Sequence, residues 1–289
     1  MRISEILKGE KPILSFEVFP PKTQDTYEVI KEATEEIAAL KPAFMSVTYG
    51  AGGGTARNTI EIAKNITSRY RVTTLAHLTC ASATEEELKE QLARMKDERI
   101  ENILALRGDI PEGAVFPGEK GFRYAYELIE KIREEGDFCI GGACYPEGHT
   151  EASSKEEDIL HLKQKVDAGC DFLTTQMFFD NHILYNFLYR LRDKGIMVPV
   201  IAGIMPVVNG RQIKRICSLS GTYLPSRFRA MADRFGDNPE AMKQAGVAYA
   251  TEQIIDLIAN GVKAVHVYSM NRPDVARSIR DNLSDILKA

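Results

Sequence analysis

Cysteine is sparse in this chain: five among 289 residues (Cys80, Cys139, Cys144, Cys170 and Cys217), scattered, odd in number and without a C-x-x-C pair. That excludes a disulfide framework and a zinc ribbon, and it fits a reducing cytoplasm. Long apolar runs are also missing. The most apolar stretch, Gly195 to Val208, is about 14 residues long and is interrupted by Pro199 and Pro206, where roughly 20 are needed to span a bilayer. The N-terminus enters charged sequence at once, Met1-Arg-Ile-Ser-Glu5, with no signal-peptide core. There is no run of Lys and Arg, and the net charge is -4, which argues against nucleic acid as a partner. A cytoplasmic protein without membrane or nucleic-acid partners is the expectation.

What is present is globular in balance, with 44% hydrophobic and 27% charged residues. A chain of this length can bury one substantial core. Short apolar runs alternate with amphipathic stretches along nearly all of it. The expected strands are Ile13–Val18, Phe44–Val47, Thr73–Leu78, Asn102–Leu106, Ile140–Cys144, Phe172–Thr175, Pro199–Ile204 and Ala264–Tyr268. Several are continuously apolar, as parallel strands covered on both faces must be.

Helices are expected over Tyr27–Leu40, Asn58–Tyr70, Tyr124–Glu135, Asn181–Lys194, Gly210–Ser220, Pro239–Asn260 and Pro273–Leu287. Two more begin at the capping-box patterns Thr84-Glu-Glu-Glu87 and Ser154-Lys-Glu-Glu157. Apolar stripes follow each, Leu88, Leu92 and Met95 in the first and Ile159, Leu162 and Val166 in the second. Eight strand–helix repeats of about 30 residues predict an α/β protein, a (β/α)8 TIM barrel spanning residues 1–289 as one catalytic domain. A doubly wound sheet would carry a glycine-rich phosphate turn after its first strand. Here that strand runs into Glu17-Val-Phe-Pro-Pro-Lys22, and the Gly50-Ala-Gly-Gly-Gly54 cluster lacks both dinucleotide and Walker spacing, so it reads as a βα loop.

In such a barrel the chemistry sits at the carboxyl ends of the strands. In order those ends offer Glu17, Thr48 with Tyr49, His77 with Thr79, Arg107-Gly108-Asp109, Tyr145 with His149, Gln176, Met205, and Tyr268 with Asn271 and Arg272. Glu17, between Phe16 and Phe19, either pairs with an arginine or, buried without a partner, becomes a general acid usable near neutrality. Asp109 is either a loop carboxylate or part of the site. His77 and His149 lack zinc-site spacing, so no metal is expected. Cys80 and Cys144 lack an evident activating base and read as inert.

The strings at the strand ends are Ser15-Phe-Glu-Val-Phe-Pro-Pro-Lys22, Phe44-Met-Ser-Val-Thr-Tyr-Gly50, Ala76-His-Leu-Thr-Cys80, Ile103-Leu-Ala-Leu-Arg-Gly-Asp109, Ala143-Cys-Tyr-Pro-Glu-Gly-His149, Lys165-Val-Asp-Ala-Gly169, Thr175-Gln176 and Gly203-Ile-Met-Pro206. Together, one per strand and in order from about residue 10 to 275, they resemble the methylenetetrahydrofolate reductase family. The resemblance implies a flavoprotein barrel that reduces 5,10-methylenetetrahydrofolate with electrons from NADH or NADPH, by ping-pong use of one flavin face. It implies Glu17 as the acid that helps open the folate ring and Asp109 as a charge beside flavin and pterin. It further implies Thr48, His77, Arg107, Gly108, Asp109, Tyr124, Ala125, Tyr145, His149, Asp158 and Lys165 as holders of the cofactor, FAD rather than FMN. Glu17, Gln176, Gln212 and Arg272 then meet the folate, Arg272 suiting its carboxylates.

Two departures accompany the likeness. Met177 stands where bacterial relatives often carry an aromatic residue, and inhibition by S-adenosylmethionine through a second domain, as in eukaryotic relatives, is not expected. The resemblance also admits a flavin-binding subunit that takes electrons from a redox partner subunit, and it is compatible with a homo-oligomer. Outside the family, a cofactor-free hydrolase using Glu17 and Asp109 would need carboxyls about 5 to 9 Å apart.

Overall fold

A computed structural model describes residues 1–21, 26–49, 56–110, 116 and 121–289, with the main chain alone at 56, 57, 212, 214 and 219. The Gly50–Gly54 cluster lies outside the described residues. Eight strands, β1 (Ile13–Val18), β2 (Phe44–Val47), β3 (Thr73–Thr79), β4 (Asn102–Leu106), β5 (Cys139–Cys144), β6 (Phe172–Thr175), β7 (Val200–Ile204) and β8 (Ala264–Val267), form a closed barrel in chain order. Every pairing is parallel, including β8 back onto β1. The chain is the (β/α)8 barrel expected, with strand bounds within about one residue of those read from the apolar runs.

The helices are α1 (Ile3–Ile6), α2 (Tyr27–Ala39), α3 (Ala56–Asn65), α4 (Glu85–Asp97), α5 (Ala125–Glu135), α6 (Lys155–Asp167), α7 (Asn181–Asp193), α8 (Ile213–Ser220), α9 (Ser226–Phe235), α10 (Pro239–Ala259) and α11 (Pro273–Asn282). The capping box of α4 is complete: Glu87 N–H donates to Thr84 Oγ1 at 3.2 Å, and Thr84 N–H donates to the Glu87 carboxylate at 2.8 Å. In α6 the box is displaced. Ser154 Oγ accepts from Glu157 N–H at 3.1 Å, but the Glu157 carboxylate reaches one residue further back, where Ser153 offers both an N–H and a hydroxyl.

Three stretches depart from the periodic pattern. The helix expected to reach Tyr70 changes at Ile66 to a π-helical turn that ends on Arg71 at φ 55°. The last helix stops at Asn282 and is followed by a short 3-10 turn, Ile286–Lys288. The helix α9 is not among those expected from the sequence; Phe228 is its one buried side chain, stacked on Phe179 with ring centroids 4.9 Å apart.

Two layers of apolar packing hold the barrel. Leu14, Phe16, Val18, Met45, Val47 and their counterparts face outward against the helices. Ile3, Phe44, Leu75, Leu104, Phe172 and Ile201 fill the amino-terminal half of the interior. The short α1 closes that end, Ile3 being fully buried and its N–H bonded to Asn102 Oδ1 at 2.7 Å. With the bottom plugged, only the carboxyl end can open to solvent. Among the described residues no helix is long and apolar enough to cross a membrane.

Candidate active site

A side chain in a strand points inward or outward with period two. On β1 Phe16 and Val18 face the helices, so Ser15 and Glu17 face the barrel interior. The register pairs Glu17 with Ser46 on β2 and Ser15 with His266 on β8. His77 enters from β3. A cavity of about 350 Å³ opens above them, walled by Glu17, Phe19, Thr48, His77, Tyr145, Gln176, Met177, Met205, Tyr268 and Met270 among others. That size suits a small-molecule site.

Glu17 is 8% exposed. Burial pushes its carboxyl from the ordinary value near 4.5 up to about 8, opposed by the neighbouring Ser46 hydroxyl. Of the two readings left open for Glu17, the arginine pair is not found: among the described residues its charged-type neighbour is His77, with Nε2 3.7 Å from Glu17 Oε2. Burial drives His77 down to about 3, so it is neutral as well. The His77 Nε2 and Thr174 Oγ1 atoms are buried without a hydrogen-bond partner within the protein. Unpartnered buried polar atoms are costly, and Thr174 and His77 both line the cavity, where a bound molecule can satisfy them.

The floor is set by Tyr268, whose hydroxyl donates to the Thr175 carbonyl. Gly203 makes this crossing feasible, because a Cβ there would run into Tyr268 and the Thr175 oxygen. The β1 rim is clamped from β8. Ser269 Oγ donates to the Glu17 carbonyl at 2.8 Å, while Asn271 accepts from Phe19 N–H at 2.8 Å and donates to Phe19 O at 3.0 Å. Met270 and Asn271 achieve this with consecutive positive φ angles, 54° and 52°, a strained conformation for residues other than glycine.

Not every candidate faces the cavity. Thr48, His77, Tyr145 and Gln176 do. Asp109 is exposed just past β4. Gly108 beside it has φ 83°, and a Cβ there would crowd Thr79. Arg107 turns aside to fork the Glu151 carboxylate, with Nη2 2.8 Å from Oε1. Tyr124 caps α5 and stacks near Tyr126 and His161, with Ala125 buried behind it.

Further around the rim His149 packs edge-on against Tyr145, centroids 4.6 Å apart. Lys165 donates to the Ala143 carbonyl at 3.0 Å and lies near Asp158; burial lowers the ammonium and raises the carboxyl. Gln176 Oε1 accepts from Met177 N–H at 2.9 Å. Arg272 is held by Asp274, with Nη2 to Oδ2 at 2.8 Å, rather than reaching toward the mouth. Gln212 lies in the 3-10 turn Gly210–Gln212, and its side chain is outside the described set. Cys80 and Cys144 are buried and their thiols are pushed up, Cys80 to about 12, so neither is a nucleophile near neutrality.

Sequence reasoning missed Ser15, Ser46 and His266 as neighbours of the acid. Their signal is the period-two recurrence of polar residues within apolar strands: Ser15 and Glu17, Ser46 and Thr48, His266 and Tyr268.

Comparison with known proteins follows the same line. The methylenetetrahydrofolate reductase family model matches residues 2–284. The chain is 38% identical over 266 residues to 5,10-methylenetetrahydrofolate reductase of Escherichia coli K12, covering 92% of this chain and 88% of that one. It is likewise 38% identical over 295 residues to methylenetetrahydrofolate reductase (NADH) 1 of Zea mays, covering 98% of this chain but 50% of the maize protein. The chain thus spans about half the length of that plant relative. A solved Clostridium thermocellum protein, described as binding two copies of 5-methyl-5,6,7,8-tetrahydrofolic acid, superposes with a TM-score of 0.69 at 17% identity, over 100% of this chain and 99% of its own. That likeness establishes the barrel alone. On the family match and the relatives' identity over most of its length, this chain belongs to the methylenetetrahydrofolate reductase family.

Proposed function

We propose that this chain reduces 5,10-methylenetetrahydrofolate to 5-methyltetrahydrofolate with electrons from NADH or NADPH, through a bound flavin. The observation that carries the reading is Glu17: a carboxyl raised to about 8 on the wall of a 350 Å³ cavity retains its proton at neutral pH and holds it where a substrate nitrogen would lie.

The residues suit a flavin with a diphosphate, FAD rather than FMN. Arg107, just past β4, and Lys165, which reaches from α6 to the Ala143 carbonyl of β5, serve as cations for phosphate oxygens. Gly108, with its positive φ, lets main chain approach a ligand closely. The unpartnered His77 Nε2 and Thr174 Oγ1 supply polar contacts at the cavity wall. Tyr124, Ala125, Tyr145, His149 and Asp158 complete that side. The chemistry a bound flavin supplies is two-electron transfer, accepted from NAD(P)H and passed to the folate carbon in turn.

The protein's own part is proton delivery and orientation. Glu17 gives its proton to the folate nitrogen that leaves the methylene carbon, so that ring opening yields the iminium that accepts hydride. Gln176 and Gln212 orient the pterin, Arg272 the glutamyl carboxylates, and Asp109 sets the local charge. Met177, 6% exposed and packed with Phe179 and Val207, gives the cavity a pliable apolar wall.

The test is the visible spectrum of the purified chain under anaerobic conditions. Flavin bands that bleach with NAD(P)H and return on adding methylenetetrahydrofolate are expected. Bands that persist with either nucleotide would replace the donor with a redox partner subunit. No flavin after reconstitution with FAD or FMN would overturn the reading.

A further inference from the structure

We propose that Tyr249 and Gln253, both on α10, are positioning residues that hold the Met177–Phe179 main chain so that Gln176 faces the cavity purely as a hydrogen-bond donor.

Behind the cavity wall, three consecutive carbonyls are each met by a side chain from outside the barrel. The Tyr249 hydroxyl donates to Phe179 O at 2.6 Å, and the Gln253 Nε2 amide donates to Phe178 O at 2.9 Å. Thr222, which follows α8, reaches Met177 O with its hydroxyl at 3.4 Å. A carbonyl can only accept, so the direction of each bond and the orientation of the Gln253 amide are fixed. The segment has no strand or helix of its own to supply these bonds, since β6 ends at Thr175 and α7 begins at Asn181. Met177, Phe178 and Phe179 are 6%, 0% and 3% exposed. A carbonyl left unpaired at that depth is costly.

The two donors sit one helical turn apart, so a single face of α10 serves both. That face lies close to the barrel. At Gly246, one turn earlier, a Cβ would run into the Val207 carbonyl. The Tyr249 ring packs edge-on against Phe228, centroids 4.7 Å apart, and the Gln253 carbonyl accepts from Asn181 Nδ2 at 2.9 Å, which ties the start of α7 to the same turn.

The consequence passes to Gln176. Its Oε1 accepts from the Met177 N–H at 2.9 Å. An N–H can only donate, so the carbonyl end of the Gln176 amide is turned to the main chain. The NH2 end, without a partner among the described residues, is left to the cavity that Gln176 lines. The ligand atom it meets must then be an acceptor, such as a pterin carbonyl oxygen or an unprotonated ring nitrogen. With the Met177 N–H swung away, the amide could turn either end to the cavity, and that selection would be lost.

The proposal rests on Gln176 being a folate contact, so its test keeps two readouts apart. Tyr249→Phe and Gln253→Leu each delete one donor and keep most of the bulk. On the purified full chain without ligand, hydrogen–deuterium exchange of the Met177 amide should accelerate several-fold in both. The Kd of 5-methyltetrahydrofolate, measured by calorimetry, should rise about three- to tenfold in each. In a Gln176→Ala background neither change should weaken folate binding further, an outcome that a merely structural role for α10 would not produce.

Unchanged exchange at Met177 in both variants would overturn the proposal, as would equal weakening of folate binding with and without Gln176. Where Gln253→Leu fails to fold, Tyr249→Phe decides alone, since its ring stays against Phe228. A parent protein that binds no folate, with exchange accelerated in the variants, would overturn the functional reading and leave the positioning of Met177 intact.

Discussion

His77 Nε2 lies 3.7 Å from Glu17 Oε2, and burial makes both neutral instead of an ion pair. An acid and a base this close would transfer a proton in water-like surroundings. Here desolvation penalises both charges together, so the proton stays on the carboxyl.

Replacing Glu17 with Gln removes that proton donor and preserves the shape of the cavity. Reduction of methylenetetrahydrofolate should fall by about two to four orders of magnitude, while bleaching of bound flavin by NAD(P)H continues near the parent rate. Stopped-flow measurement of the two half-reactions separates them. Equal loss in both would remove Glu17 from its assigned role.

The same groups predict a shaped stability profile. Glu17 has a raised folded value, about 8 against an ordinary 4.5, so the folded state holds more protons and stability declines as pH rises from about 4.5 to 8. His77 and His266 are lowered from 6.5 to about 3; their contribution is lost as pH falls from about 6.5 toward 3. Together they place maximal stability near pH 6.5, with a one-proton alkaline slope of about 1.4 kcal/mol per pH unit. Glu17→Gln should flatten the decline between pH 6.5 and 8 in urea unfolding, and a persisting slope would assign it to other groups.

Asn271 ties the β1 rim to β8 through both the N–H and the C=O of Phe19. Asn271→Ala should cost about 1–3 kcal/mol, since it leaves both groups unpaired and puts Cβ strain at φ 52° without compensation. Asn271→Gly relieves the strain but not the pairing, and should lie between the two in urea midpoint. Both variants should raise KM for the folate, because the loop that carries Phe19 follows directly on Glu17.

At Gly203 a methyl group has no room beneath Tyr268. Gly203→Ala should destabilise the protein by about 1–3 kcal/mol and displace Tyr268 from the cavity floor. Calorimetry and the near-ultraviolet circular dichroism of the tyrosines report the two effects. An unchanged Tm would mean that the strand can move aside.

Arg107 is engaged by Glu151, an exposed carboxylate that competes with a phosphate group for the same fork. Glu151→Gln should tighten flavin binding several-fold at low salt, read from quenching of flavin fluorescence, with the gain shrinking as ionic strength rises. Weaker binding would show that Glu151 holds Arg107 in its working orientation.

The architecture was legible because each strand is a short apolar run and each helix carries its own cap and stripe. These are local signals, and Thr84 with Glu87 or Leu88 with Leu92 need nothing from the rest of the chain. The place of Glu17 on the cavity wall was legible for a similar reason: it is a lone acid within an apolar strand at the carboxyl end of β1. The brief α1 and the largely polar α9 were not, since the first is too short for periodicity and the second has Phe228 as its one buried residue.

By itself the sequence determined the order of elements, the closed parallel barrel and the end at which the chemistry gathers. Tertiary structure alone decided which polar groups meet. Arg107 and Arg272 are held by Glu151 and Asp274, choices set by side-chain reach that no spacing encodes. Ser15 and His266, 251 positions apart, touch because β8 closes on β1 in a particular register. Period-two patterning says which residues share a face of a strand; only the register across the closed seam says which neighbour each will have.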